Sequence, residues 1–554
     1  MAILCAWLDR LGDQRSFPAT FSAESNQPHM TFSLTSRVSP SDVTNRPHRW
    51  VVFAGAWLLF SLLAASWSLA TPISASPDEP AHIVKAASVV RGQFVGEPSP
   101  LGHVVQVPRY IASTQAETCF AFEPTISADC AVPLPGRSGE IIDGTTTAGL
   151  YNPVYYLIVG APSLAFDNVS GVYAMRIMSG VLSGLFVALA FMLVYTWRRN
   201  SLPLAAIAVG TPPMMLFLSG SVNPNSLEIA ASLTVFTGML TIALQPNSRL
   251  LTERSMIVLA GAVLAVNARG LSPLWLAVAA LAPLIALNWT QIRSLFVKPA
   301  VIVTVIGTGL ATAFALAWMY GSSSLTAAID DADNFQQYPG VGSSFLAGFN
   351  YVIRGTFGFA QTMIGNFGWL DTPAPISVYF LWSAFTGACL IAAFTVLHGR
   401  RLVLASVLAG TMVLAPALIQ GIYVNGGGLI WQGRYALPLF AFLVVGLFAL
   451  VSEQIGNIPI SMIRRLTFVI WFLWAAAQFV SYATALRRYA VGSDGTWRDL
   501  ISAADWNAPG GNLLWLSIFA VLLAVAGASA WLVAGAHRSH RTAREPRIGV
   551  SAKS

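Results

Sequence analysis

Runs of about 20 apolar residues recur along the whole chain, and they constrain its fold more than any other feature. Each run is long enough to cross a hydrocarbon core about 30 Å thick as an α-helix. Apolar residues make up 55% of the 554 residues, and charged residues only 10%. Because soluble domains carry about 25% charged residues, this composition is typical of an all-α polytopic membrane protein. The runs are continuously apolar rather than alternating, which argues against a β-barrel.

Run length and loop charge predict about twelve transmembrane helices. The predicted spans are 50–70, 173–197, 201–218, 227–245, 256–268, 272–289, 299–319, 376–397, 402–423, 435–452, 466–483 and 512–535. The apolar segment 151–166 contains Pro153 and Pro162. If it crossed the membrane, every later basic loop would be inverted against the positive-inside rule. We therefore predict a juxtamembrane or re-entrant helix there, with both termini in the cytoplasm of a cell bounded by a bacterial inner or plasma membrane.

This topology divides the chain into a transmembrane domain at 49–535 and two cytoplasmic tails. The tail at 1–48 is polar and rich in Ser, Pro and Asn, which predicts disorder. The tail at 536–554 is basic, and 71–149 forms a large outer loop. Met1 and Met30 both remain candidate starts. Cys119 and Cys130 share the outer loop and would pair in an oxidising compartment.

Asp78 and Glu79 follow the first span, where a membrane enzyme acting on a lipid-borne substrate would place a general base. Carboxylates at a membrane face must be solvated, paired or used in function. At a spacing of four residues, Asp78 and His82 share one face of a predicted amphipathic helix over 78–93. A carboxylate beside an imidazole could deprotonate a sugar hydroxyl or bind a divalent cation. The competing interpretation is a capping box of Ser76 and Glu79.

Arginines on the predicted outer side are candidates for holding a lipid-linked phosphate, because the guanidinium fork suits phosphate better than lysine does. Arg434 stands out: Gln432 and Tyr435 flank it, and a glycine run precedes it at 426–428. Arg269 lies in the turn between two unusually short apolar segments, a feature tolerated where helices line a polar cavity. Interfacial anchoring is the alternative, since Arg, Trp and Tyr all collect at membrane edges.

A third polar patch combines Trp369 with Asp371 after an amphipathic stretch at 345–364. An aromatic ring beside a carboxylate can stack on a sugar and hydrogen-bond to it. The same residues can equally form an interfacial belt that ends at a capping Asp.

Several catalytic patterns are absent from the sequence. It contains no phosphate-binding glycine loop followed by Lys-Ser/Thr, no His-Glu-x-x-His zinc pattern and no Gly-x-Ser-x-Gly elbow. The predicted cytoplasmic loops are too short for a nucleotide-binding domain. These observations argue against a nucleotide-sugar donor and against an ATP-driven pump.

Three motifs in this order resemble a family of bacterial predicted membrane proteins, domain-of-unknown-function family 2142. The likeness covers about residues 50–480, and its motifs are Pro77-Asp78-Glu79-Pro80-Ala81-His82, Gly365-Asn366-Phe367-Gly368-Trp369-Leu370-Asp371 and Gln432-Gly433-Arg434-Tyr435. That family is similar in layout to the GT-C glycosyltransferases, which use polyprenyl-phosphate sugars at the outer membrane face. The start of the 151–166 segment, Asn152-Pro153-x-Tyr155, matches a motif of such enzymes only in part, because Val154 replaces its second proline.

The resemblance implies a GT-C-like bundle with amphipathic juxtamembrane helices in the first outer loop. It also implies an inverting glycosyltransferase in cell-envelope biosynthesis, with Asp78 as general base and Glu79 as the reserve. The expected substrate-binding residues are His82, Arg269, Arg434, Tyr435, Gln432, Asp371 and Trp369. If a divalent cation takes part, its expected ligands are Asp78, Glu79 and His82.

Two other functions stay open at this point. A transporter or flippase of a lipid-linked precursor would place charges near the bilayer midplane, whereas the predicted spans hold few acids and Glu228 lies at the edge of one. A non-catalytic scaffold for envelope assembly is the third possibility. The excess of arginine over lysine, with abundant Ala and Gly, suggests an actinobacterial source; the sugar, the acceptor and the oligomeric state stay open.

Overall fold

The computed structural model describes residues 48–136, 139–324, 339–455 and 459–535, of which residues 460 and 532–535 are described by their backbone alone. The two predicted tails lie outside the described residues, apart from His48 at the edge of the first tail. The prediction of a disordered N-terminal tail and a basic C-terminal tail therefore stays a prediction, as does the choice between Met1 and Met30.

Helices dominate the described residues, because an apolar segment in a membrane satisfies its backbone hydrogen bonds internally only as a helix. In chain order the helices are α1 (Arg49–Ala70), α2 (Glu79–Val89), α3 (Arg109–Ala112), α4 (Val154–Val159), α5 (Val169–Tyr195), α6 (Ser201–Val209), α7 (Pro213–Ser219), α8 (Pro224–Leu244), α9 (Leu251–Val266), α10 (Ser272–Leu281), α11 (Trp289–Phe296), α12 (Pro299–Gly321), α13 (Phe345–Arg354), α14 (Thr356–Gly365), α15 (Ile376–Val396), α16 (Gly399–Gly427), α17 (Leu437–Gln454), α18 (Ile460–Val491), α19 (Trp497–Ser502) and α20 (Asn512–Gly535).

Nine helical segments in the described part of the chain are long and apolar enough to cross a membrane, and a bent pair raises the count to ten. The nine comprise α1, α5, α8, α12, α15, α16, α18 and α20, together with α17 and the turn that precedes it. The chain is thus an all-α polytopic membrane protein, as predicted. The predicted count of twelve is not confirmed, because α9 has only 16 residues and α10 with its 3-10 extension ends at Ala286.

The predicted span 201–218 is broken rather than straight. Helix α6 ends before Gly210, helix α7 begins at Pro213, and the two are bent by 67°. Pro212 and Pro213 explain the break, since proline lacks a backbone N–H and clashes with the preceding helical turn. The segment 151–166 holds only the six-residue helix α4 and a short 3-10 helix, and its predicted juxtamembrane or re-entrant position stays a prediction.

Burial separates the long helices into two groups. Helices α5, α8 and α17 are mostly buried and form the centre of the bundle, whereas α12, α15 and α20 bury only a small share of their residues. The exposed groups of the second set provide the surface that lipid tails would contact. The apolar side chains of α12, α15 and α20 thus form part of the outer surface of the bundle, around the buried helices α5, α8 and α17.

The 71–149 loop is folded rather than extended. It holds a three-stranded antiparallel sheet in the order β1 (Glu97–Ser99), β2 (Gly102–Pro108) and β3 (Ile141–Thr146). The helix predicted over 78–93 is present as α2, which packs against this sheet and is buried along its whole length, its polar side chains included. Its Lys85 is enclosed and donates hydrogen bonds to the backbone oxygens of Phe94 and Gly149. A two-stranded ribbon of β4 (Asn366–Phe367) and β5 (Thr372–Pro373) lies further along the chain.

Cys119 and Cys130 form a disulfide in the same loop, with their Cα atoms 6.1 Å apart. Disulfides persist in oxidising compartments, so this bond agrees with the predicted placement of the loop outside the cytoplasm. We call the end of the bundle that carries this loop the large-loop face.

Candidate functional site

Asp78 immediately precedes helix α2, and its backbone is left-handed with a φ of 65°. Few non-glycine residues adopt this conformation, and Asp is among those that tolerate it. The Asp78 side chain makes no capping hydrogen bond to α2, and Ser76 Oγ has no partner among the described residues. The predicted capping box of Ser76 and Glu79 is therefore wrong, and the Asp78 carboxylate is available for another contact.

That contact is an ion pair with Arg434, whose Nη2 donates to Asp78 Oδ2 over 2.7 Å. The two side chains differ in exposure: that of Asp78 is 52% exposed, whereas that of Arg434 is 1% exposed. The carboxylate can thus be reached from outside while the cation beside it is enclosed. Sequence segments at opposite ends of the domain meet at this pair.

The charge of Arg434 governs the ionisation of Asp78. Removal of water by the surrounding protein raises the pKa of Asp78, but the positive charges of Arg434 and Arg269 and the hydrogen bond from Arg434 lower that pKa below its ordinary value of 3.8. The carboxylate is therefore ionised, and able to accept a proton, over the whole neutral range.

Arg434 has hydrogen-bond donors without an acceptor among the described residues. Its Nε and Nη1 atoms are buried and make no hydrogen bond within the part of the chain that the structure describes. A buried donor without an acceptor costs about 1–3 kcal/mol, and more when it is charged. Arg434 therefore forms a site that an oxyanion would complete, because a phosphate supplies several acceptor oxygens to one guanidinium.

The backbone around Arg434 is closely packed, which fixes where its side chain starts. Gly433 precedes it in a 3-10 turn, and a Cβ at Gly433 would lie 2.1 Å from the backbone oxygen of Phe359 in α14. The side chain of Gln420 in α16 holds the preceding loop: its Oε1 accepts hydrogen bonds from the backbone N–H groups of Ile430 and Trp431, at 3.2 and 2.8 Å. A side chain at position 433 would collide with α14, so Gly433 is required by close packing and not by backbone flexibility.

The guanidinium groups of Arg269 and Arg434 both pack against the ring of Tyr435. The guanidinium carbon of Arg269 is 4.8 Å from the centre of the Tyr435 ring, and that of Arg434 is 5.5 Å from it. These distances are within the range of cation–π contacts. Two cations, one aromatic ring and the Asp78 carboxylate are therefore gathered in one place. That Arg269, Arg434 and Tyr435 bind a substrate stays a prediction.

His82 lies behind Asp78 in helix α2 and is buried. Its Nδ1 is 2.8 Å from the hydroxyl of Tyr156, and its ring centre is 5.8 Å from that of Tyr151. Burial lowers the pKa of His82 to about 3, and the nearby arginines contribute to the shift against the opposing charge of Asp78. His82 is therefore neutral near pH 7, when it can donate a hydrogen bond but carries no charge.

Glu79 points away from Asp78 and into the protein. Its two carboxylate oxygens accept from Nε and Nη2 of Arg176, at 2.7 and 2.6 Å, and one also accepts from the backbone of Val222 at 3.0 Å. Both side chains are fully buried. This placement favours a structural role for Glu79 instead of the predicted role as reserve base.

Trp369 and Asp371 also make contacts away from Asp78. Asp371 Oδ2 accepts from Arg488 and from the backbone of Phe122, each at 3.1 Å, and Trp369 Nε1 donates to the backbone oxygen of Ser74 at 2.9 Å. Arg488 binds three further backbone oxygens in the disulfide loop. These contacts favour a structural role for Trp369 and Asp371 at the large-loop face, instead of the predicted contact with a sugar.

The ligand set expected for a divalent cation does not come together. Asp78 pairs with Arg434, Glu79 with Arg176, and His82 with Tyr156. Across the described ranges no three His, Cys, Asp or Glu side chains form a group that could hold a metal. The residues named for a metal therefore do not fit one in this arrangement.

A model of the family described as "Predicted membrane protein (DUF2142)" matches residues 60–443. The chain belongs to this family. The match includes Asp78, Arg269 and Arg434, so all three charged residues of the site lie within the family region. The resemblance drawn from the three sequence motifs is confirmed.

Two solved structures are similar to the chain at a distance. Both are of ArnT from Cupriavidus metallidurans, one bound to undecaprenyl phosphate and one in the apo state, with TM-scores of 0.41 and 0.40 and sequence identities of 13% and 14%. Each comparison covers 88% of this chain and 77% of the other. No curated protein matches the chain.

Three uncharged members of the site that the sequence reasoning missed lie outside the three motifs. Tyr151 and Tyr156 surround His82, and Gln420 binds the loop before Arg434. Gln420 carried a usable signal, because a lone amide in an apolar span needs a partner. The tyrosines gave no such signal, since Tyr is common at membrane edges.

Proposed function

We propose that this protein is a membrane glycosyltransferase that moves a sugar from a polyprenyl-phosphate donor to a cell-envelope acceptor at the large-loop face. The observation that carries the proposal is the state of Arg434: it is buried, two of its nitrogens lack a partner within the described chain, and it touches an accessible carboxylate. An anion site directly beside a base is the arrangement that a transfer from a phosphate leaving group requires.

The donor phosphate would lie against Arg434 and Arg269. The guanidinium carbons of Arg269 and Arg434 lie 4.8 and 5.5 Å from the centre of the Tyr435 ring, and we expect one phosphate group to accept hydrogen bonds from both. Gln432 Oε1 is buried without a partner among the described residues and would accept from a hydroxyl of the sugar. The outer helices expose apolar side chains to the lipid tails, and the polyprenyl chain of the donor would lie in the lipid beside them.

Asp78 would act as the general base. It takes the proton of the acceptor hydroxyl, whose oxygen forms a bond to the anomeric carbon while the bond from that carbon to the phosphate oxygen breaks. The electron pair leaves with the polyprenyl phosphate, and the anomeric carbon is inverted. Because the leaving phosphate needs no protonation near neutral pH, one carboxylate suffices, unlike the pair that glycosidases use.

A transporter or flippase of a lipid-linked precursor is the alternative function. One observation favours it: Glu228, at the start of the buried span α8, is enclosed and joins Arg269 through a shared network. An intramembrane acid next to a cation is common in transport pathways. Against it, the ionisable residues of the site all lie at one end of the helices rather than at their middle.

The deciding experiment is glycosyl transfer by the purified protein in lipid nanodiscs. A panel of radiolabelled polyprenyl-phosphate sugars would serve as donors and an envelope extract as acceptor, with Asp78→Asn compared with wild type. We expect transfer with one donor class and its loss in the variant. If no donor supports transfer and the labelled lipid instead crosses the bilayer of reconstituted vesicles, the enzyme is excluded and the flippase takes its place.

A further inference from the structure

Arg269 belongs to a closed ring of hydrogen bonds centred on Glu228. The backbone N–H of Arg269 donates to Ser272 Oγ at 3.0 Å, and the Ser272 hydroxyl donates to Glu228 Oε1 at 2.7 Å. Asn225 Nδ2 donates to Glu228 Oε2 at 3.0 Å. The ring closes where Arg269 Nη1 donates to Asn225 Oδ1.

The direction of every hydrogen bond in this ring is determined. Arg269 can only donate, so Asn225 must present its oxygen to Arg269 and its amide nitrogen to Glu228. Ser272 Oγ accepts from a backbone N–H, which leaves its own hydrogen for Glu228. Both oxygens of Glu228 therefore accept, as an ionised carboxylate does. The ring holds the Arg269 guanidinium between Asn225 and the Tyr435 ring.

We propose that Glu228 is a positioning residue for the anion site: it orients Asn225 and Ser272, and through them aims Arg269 at the ligand phosphate. This inference rests on the proposed function for the identity of the ligand as a polyprenyl phosphate. Glu228 itself does not touch the ligand. Because it is buried with Asn225 and Ser272, its role is to fix the geometry of a cation that would otherwise adopt many rotamers.

The test exchanges the carboxylate of Glu228 and the amide of Asn225, first one at a time and then together. In Glu228→Gln, the amide at position 228 keeps one acceptor oxygen where Glu228 has two, so its nitrogen faces either Asn225 Nδ2 or Ser272 Oγ and one of these two groups loses its acceptor. The single variant Asn225→Asp places two carboxylates against each other. In the double variant Glu228→Gln/Asn225→Asp, the amide introduced at position 228 donates to the carboxylate introduced at position 225. That carboxylate also accepts from Arg269, so every bond of the ring is restored at the same net charge.

Binding of undecaprenyl phosphate to the protein in nanodiscs, with undecaprenol as the uncharged control, is the primary measurement. We expect each single variant to weaken binding of the phosphate about tenfold, which corresponds to about 1.4 kcal/mol, and the double variant to bind like wild type. Glu253→Gln is the matched control, because Glu253 holds Arg49 through the same two-oxygen contact at the opposite end of the bundle. This control should bind like wild type.

The outcomes separate the inference from the function it rests on. Phosphate binding that is unchanged in the single variants, or that stays weak in a well-folded double variant, overturns the role of Glu228. If the single variants do not fold, rescue of both folding and binding in the double variant supports the ring, and the milder Ser272→Ala should weaken binding alone. If wild type binds the phosphate but transfers no sugar, the glycosyltransferase fails while the positioning role stands.

Discussion

Arg434 and Asp78 are 356 residues apart in the chain and 2.7 Å apart in the structure, between Nη2 and Oδ2. In the proposed reaction this ion pair links Asp78, the general base, to the residue that binds the phosphate of the sugar donor. A phosphate that binds the two unused nitrogens of Arg434 adds negative charge beside Asp78, and this charge raises the pKa of Asp78 from its lowered value. Donor binding would thus strengthen the carboxylate as a base.

The first prediction concerns Asp78 as the base. We expect Asp78→Asn to lower kcat by about 10²–10⁴-fold, the usual contribution of a general base. Binding of undecaprenyl phosphate should be retained, since Asn can still accept from Arg434 but no longer repels the phosphate. Asp143→Asn, at an exposed position of β3 in the same loop, is the matched control and should keep wild-type turnover. Wild-type kcat in Asp78→Asn would remove Asp78 from the mechanism.

The second prediction is a change in pH dependence when Arg434 is replaced. Arg434 lowers the pKa of Asp78, so Arg434→Gln raises it, and the base becomes protonated at a higher pH. The acid limb of kcat/KM should therefore move to higher pH, together with an increased KM for the donor. Arg109→Gln removes an exposed arginine that pairs with Glu140 in the same loop, and its pH profile should match wild type. An unshifted acid limb in Arg434→Gln would show that another group is titrating.

The third prediction assigns Glu79 to stability. Removing one partner of a buried ion pair costs about 3–5 kcal/mol of unfolding free energy, because the other charge stays buried. We expect this loss in Glu79→Gln, where Arg176 is left without its carboxylate. The exposed pair of Arg109 and Glu140 supplies the control, since Glu140→Gln should cost at most about 1 kcal/mol. A Glu79→Gln protein of wild-type stability that has lost turnover would instead make Glu79 a second catalytic carboxylate.

The sequence predicted the class of fold and the charged part of the site, for identifiable physical reasons. Long apolar runs have only one way to satisfy their backbone in a membrane, so the spanning helices follow directly. Asp78 and Arg434 were recognisable because charged residues are rare in such a chain. The break at Pro212 was missed because span length outweighed the two prolines in the prediction. The shortness of α9 and α10 was visible in the sequence, although both segments were counted as spans.

The partners of each charged residue could not be predicted, because they come from distant segments. Asp78 and Glu79 are adjacent in sequence, yet one is accessible beside Arg434 and the other is buried beside Arg176. The left-handed backbone at Asp78 sends the two side chains in different directions, and no local pattern revealed it. Asp371 and Trp369 were grouped with the sugar site for their residue types, whereas tertiary contacts engage them with Arg488 and Ser74.

The fourth prediction is a pH effect on stability from His82. The folded protein holds the pKa of His82 at about 3, whereas in the unfolded chain it returns to about 6.5. Between these values the unfolded state binds a proton that the folded state does not, so stability falls as the pH drops through this window. From pH 6.5 to 5 the loss is about 1.6 kcal/mol. His82→Gln lacks this proton, and its Tm should fall less over the same range; equal slopes would contradict a neutral, buried His82.

The fifth prediction separates the disulfide from the site. The bond between Cys119 and Cys130 closes a short loop, and losing such a bond costs about 3 kcal/mol. Arg488 still binds the backbone oxygens of Phe120, Glu123 and Ile126 in that loop, so the reduced protein should keep its fold. We therefore expect reductant to lower the Tm of wild type and of Cys389→Ala alike, but not that of Cys119→Ser/Cys130→Ser. Turnover at low temperature should survive in all three, because the loop contacts Trp369 and Asp371 rather than Asp78. Loss of turnover in a folded, reduced protein would place the disulfide loop within the catalytic site.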